Sequence, residues 1–108
     1  MYITDFFSLR LVQDKKIIVK QSSFDELIQA YKETLPSIVV VRRYDIRNVI
    51  RQLLDVESFP TPSYIVHLDE GESLYALNPV KHIPVGSYIS LKNYLSYLQV
   101  YKVDVLKT

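Results

Sequence analysis

His67, Asp69, Glu70 and Glu72 crowd one short stretch, "HLDEGE", with side chains that can ligate a metal or move a proton. A metal centre needs several such ligands converging on one point. Strand alternation brings His67 and Asp69 to one face only if a strand reaches that far. The competing reading is a soluble acidic turn, and it is the one expected here, with no metal and no cofactor. His82, between Lys81 and Ile83 in a proline-bearing loop, is a lone loop histidine of a kind that usually has no special role. Neither histidine has a serine or cysteine nucleophile beside it in the sequence, and Ser22 and Ser23 are better explained as helix caps. No complete catalytic constellation emerges, so no enzyme is expected.

The chain contains no cysteine. That removes thiol nucleophiles, sulfur ligands, disulfides and thiol redox switching together. Its two glycines cannot build the Gly-rich loop that cradles phosphates.

Arg42, Arg43, Arg47 and Arg51 form the main basic cluster, with Asn48 among them. Helical spacing sets Arg47 beside Arg51, and guanidinium forks suit phosphates or a partner's carboxylates. A solvated helix face with local ion pairs to Asp45 and Asp55 competes with that reading. Tyr88, Tyr94, Tyr97 and Tyr101 concentrate aromatic surface near the C-terminus. Tyr94 and Tyr101 suit buried faces, whereas Tyr97 is the one expected to protrude toward an interface.

A chain of 108 residues, 48% hydrophobic and with a formal net charge of +1, suits one domain (1–108) with a single core. That charge balance creates no global field toward nucleic acid or anionic lipid, so a local patch would have to act. Runs such as Ile38 to Val41 fall far short of the roughly 20 apolar residues of a membrane helix. The opening residues do not read as a secretion signal, so a soluble, cytoplasmic protein is expected.

Positioning elements follow from periodicity. "FFSLRLV" and "KIIVK" read as strands around a tight polar turn. Ser23 and Glu26 make a capping box opening a helix with Phe24, Leu27, Ile28, Tyr31 and Leu35 on its apolar face, stopped by Pro36. "SIVVVRR" has the β-branched continuity of a central strand buried on both faces. Asp45 then caps a second helix striped by Ile46, Val49, Ile50, Leu53 and Leu54. "SYIVHL" and "SLYAL" read as a hairpin about Gly71. Ser90 caps a last helix presenting Leu91, Tyr94, Leu95 and Leu98. The tail "VYKVDVL" alternates in a way that suits an added strand or a continued helix. From Lys16 to Leu98 the order is βαβαββα, an α/β domain with an extra N-terminal strand, parallel crossovers and helices on both sheet faces.

This order, with "TPSYIVHLDEGE" opening the third core strand and "PVGSYISLKNYLSYL" approaching the last helix, resembles the thioredoxin-like fold over about residues 16–98. The resemblance implies a cis-proline at the start of that strand, at Pro62 or else Pro60. It carries over no catalytic residue, because the family's cysteine motif is absent between "KIIVK" and the first helix. What it implies instead is a redox-inactive scaffold whose Thr61, Pro62 and Ser63 shape a binding edge for an extended segment. The sequence therefore points to a non-catalytic protein- or peptide-binding module. A nucleic-acid binder using Arg42, Arg43, Arg47 and Arg51 is the alternative. A homodimer through the tyrosines or an exposed edge on "VYKVDV" is also open.

Overall fold

The computed structural model describes residues 1–5, 7, 9–33, 38–56, 67–81 and 90–107. Among the described residues, five strands and three α-helices follow one another as β1 (Tyr2–Thr4), β2 (Ile17–Ser22), α1 (Phe24–Glu33), β3 (Ile38–Val40), α2 (Tyr44–Leu54), β4 (Ser73–Pro79), α3 (Leu91–Leu95) and β5 (Leu98–Val105). The strands form one mixed sheet in the order β2-β5-β4-β1-β3. Parallel pairing joins β1 to both β3 and β4, while β5 runs antiparallel to β4 and β2. Among the described residues, no helix is long and apolar enough to cross a membrane.

The α/β class holds, and a helix lies at each of the three expected places, though α3 ends at Leu95 and Leu98, expected on its buried face, opens β5 instead. Ser23 Oγ accepts the Glu26 amide at 3.1 Å, while the Glu26 carboxylate accepts from the Ser22 hydroxyl, so one half of the capping box forms. Ser90 Oγ accepts the Asn93 amide at 3.3 Å and starts α3. At α2 the capping position belongs to Arg43, and Asp45 lies within the first turn, where its Oδ1 accepts the adjacent Ile46 amide. Asp55 ends α2 in the left-handed region, φ 55°, a conformation that a short polar side chain tolerates. Gly71, at φ +84°, supplies the turn before β4 as its lack of a Cβ allows.

Several pairings differ from expectation. "KIIVK" and "SIVVV" do not form a parallel pair, because β2 and β3 lie at opposite ends of the sheet. Leu9–Val12 is a 3-10 helix and not a strand. Its adjacent Leu11 and Val12 are both buried in the same apolar cluster, an arrangement that a strand's alternation forbids and a tight helical turn permits. β4 has β1 on one side and β5 on the other, and the first strand of the expected hairpin about Gly71 lies, at 64–66, outside the described residues. The tail is a strand, β5, and it is internal, so it offers no edge for a second copy.

The helices share one face. Leu27 of α1, Ile46, Val49 and Ile50 of α2, and Tyr94 of α3 pack on Ile3, Val39, Tyr75 and Leu77. Against the other face lie Leu11, Val12 and Leu68, on Val40, Leu74, Ala76, Val103 and Val105. Val39 and Val40 thus point into different clusters, so β3 is buried on both faces as its β-branched run predicts, though it ends the described sheet.

Candidate functional site

Among the described strands, β2 ends the sheet on the side opposite β3, with β5 as its one neighbour. Its register pairs Ile18 with Asp104, Val19 with Val103 and Lys20 with Lys102. The Leu106 amide donates to the Lys16 carbonyl at 2.9 Å, which fixes the phase of this antiparallel ladder: even-numbered residues of β2 exchange bonds with β5. The amides and carbonyls of Ile17, Val19 and Gln21 therefore point away from the sheet. No described strand covers that row.

Two apolar side chains of this edge are exposed. Val19 is 51% and Ile18 is 40% accessible, on opposite faces of the strand. Val19 also borders an apolar groove of about 290 Å³ on the face away from the helices, lined with Phe7, Ala76, Tyr101 and Val103, with Asp5 and Asn78 as its polar residues. Tyr101 is half-buried there, and its hydroxyl donates to Gln99 Oε1 at 2.6 Å. Lys15, Lys16 and Lys20 punctuate the segment. Lysines of this kind deter indiscriminate pairing of an open edge. The lysines of "KKIIVK" are in this light a signal from which an edge strand could have been expected, one left unused in the sequence reading above.

Two carboxylates meet the start of the arginine segment, one at its backbone and one at a side chain. Asp5 accepts the backbone amides of Arg42 and Arg43 at 3.0 and 2.8 Å. Arg43 grips Asp45 with Nε and Nη2, at 3.2 and 2.8 Å, and that contact raises its pKa. Tyr94 donates its hydroxyl to the same carboxylate. Burial alone pushes Asp45 up, but the hydrogen bonds from Tyr94, Arg43 and the Ile46 amide outweigh it and hold the carboxyl below its usual range. Burial, followed by the bond to Asp45, pushes the Tyr94 phenol far above its ordinary value. Arg51 turns Nη1 to Asn48 Oδ1 at 3.3 Å, and Arg47 is half-buried on the same helix. Arg43 is thus engaged by Asp45 and Arg51 by Asn48.

The acidic turn is organised mainly as a turn. His67 Nε2 lies 3.2 Å from Asp69 Oδ1, and Lys15 Nζ lies 3.8 Å from the same atom. Glu72 instead accepts the Asp69 amide at 2.7 Å. Among the described residues no group of three or more histidine, cysteine or acidic side chains converges as a metal site would require. Tyr97 does not protrude. It packs against the helix-side core, with Lys81 Nζ 5.2 Å from its ring centre. Pro60, Thr61, Pro62 and Ser63 lie outside the described residues.

No protein-family model matches the chain, and no curated protein does. Among solved structures it is similar to B116 of Sulfolobus turreted icosahedral virus (STIV), at 14% identity and a TM-score of 0.77, over 95% of this chain and 97% of that one. At that identity the similarity is one of fold, and it supports a mixed α/β domain spanning nearly the whole chain.

Proposed function

We propose that this chain is a non-catalytic protein-binding module that takes an extended segment alongside β2 as an added strand. The observation carrying this reading is the outward row of backbone groups at Ile17, Val19 and Gln21, flanked by exposed Ile18 and Val19. Backbone hydrogen bonds would supply the attraction, and the groove beside Val19 would take an apolar side chain. The binding-module expectation is kept, and its docking edge moves from Pro62 to β2. A thioredoxin-like scaffold is not needed for it, and the strand order does not favour one.

The test is a display library of extended peptides panned against the chain, with Val19→Pro as the control. Proline there removes an outward amide and leaves the bonds to β5 in place, as edge strands tolerate. Selected peptides that bind the wild type and lose affinity for Val19→Pro support the reading. Peptides that bind both equally, or none at all, oppose it.

A further inference from the structure

Resting on that reading, we propose that one occupant of the β2 edge is a second copy of this chain, paired antiparallel about a two-fold axis at Val19. A strand that meets its own copy across a two-fold must run antiparallel to it. Its bonded pairs must join residues whose backbone groups both point outward, which here are Ile17, Val19 and Gln21. Two registers that meet this demand bring lysines face to face. Centring the axis on Lys20 sets it opposite itself, and centring it on Ile18 sets Lys16 opposite Lys20. Like charges directly opposite destabilise a ladder. Centring on Val19 avoids this: Val19 meets Val19, Ile17 meets Gln21, Ile18 meets Lys20 and Lys16 meets Ser22.

The same register uses every outward backbone group of β2. Ile18 is covered by the aliphatic stem of the facing Lys20, whose charged end stays in water. Val19 of each copy covers the other on the face that carries the groove, so the two grooves meet at the axis. The sheet then runs continuously through both copies. Lysines that deter other registers leave this one open.

Sedimentation equilibrium of the wild type and Val19→Pro tests the pairing. The wild type is expected to dimerise, and the variant, which loses an outward amide in each copy, to dimerise about tenfold or more weakly. Because the chain has no native cysteine, a Val19→Cys variant reports the register directly. Bonded antiparallel partners sit about 5.5 Å apart at Cα, inside the range a disulfide spans. Mild oxidation is expected to cross-link Val19→Cys and to leave Gln29→Cys, on the exposed side of α1, unlinked. A monomeric wild type, or equal cross-linking at the two positions, overturns self-pairing. If a monomeric wild type still binds displayed peptides in a manner sensitive to Val19→Pro, the edge reading stands alone. If it binds none, both fail.

Discussion

Tyr94, at the buried face of α3, donates its hydroxyl to Asp45 in the first turn of α2, a bond spanning 49 positions in sequence. It closes the polar end of the helix layer. Asp45 is also held by Arg43, so the three side chains lock α2 to α3 at the end where β3 delivers the chain.

Removing that hydroxyl isolates its worth. Tyr94→Phe keeps the ring in the core and is expected to destabilise the fold by about 1 kcal/mol, the modest value reflecting a partly exposed acceptor. Urea denaturation at neutral pH measures it. Unchanged stability would mean that the bond adds nothing beyond hydration.

The pH dependence of that difference has a definite sign. Asp45 is depressed in the folded state, so its contribution is complete above the ordinary carboxylate range and is lost as pH falls through the depressed value. Tyr94 is raised, so its contribution is complete below the ordinary phenol range and is lost as pH rises above about 10. The gap between wild type and Tyr94→Phe should be flat near neutrality and shrink at both extremes. A gap that widens in alkali contradicts the assignment.

Asp5 anchors the chain where β1 ends and α2 begins. Asp5→Ala leaves the Arg42 and Arg43 amides without their carboxylate partner and is expected to cost about 1–3 kcal/mol. Asp5→Asn, retaining one acceptor oxygen, should recover part of it. Thermal melts of the two variants check the order, and equal losses would argue against the paired bonds.

Gly71 holds φ +84°, and a Cβ placed there would meet Lys107 Cε at 2.7 Å. The lysine end can swing away, but the backbone conformation still penalises a side chain. Gly71→Ala is expected to lose about 1 kcal/mol. Restoring the loss with a second change, Lys107→Ala, would show that the clash, and not the dihedral, dominates.

Local signals were the most legible part of the sequence. The helix caps at Ser23 and Ser90, the stripe of α2 and the turn at Gly71 all depend on residues close in the chain, and all are present. Strand partnership was not legible, because "KIIVK" has the same period whether it pairs with β3 or β5. The long alternation of β5, with Val100 and Val103 buried in different clusters, gives it two neighbours and draws β2 to the far side. Leu11 and Val12 misled for the opposite reason: β propensity in "FFSLRLV" gave way to the burial of two adjacent residues. Around the arginines, the bonds from the Arg42 and Arg43 amides to Asp5 and from Tyr94 to Asp45 join residues remote in sequence, which no local pattern shows. The edge at β2 was marked by its lysines and exposed only once β5 was known to be internal.

Residue-resolved amide exchange along β2 tests the central claim most directly. At low protein concentration the account predicts slow exchange at Ile18 and Lys20, whose amides bond β5, and fast exchange at Ile17, Val19 and Gln21. Protection of those three should then rise with protein concentration or with a bound peptide. Slow exchange at Ile17, Val19 and Gln21 that ignores both would show the edge already closed, and would contradict the account.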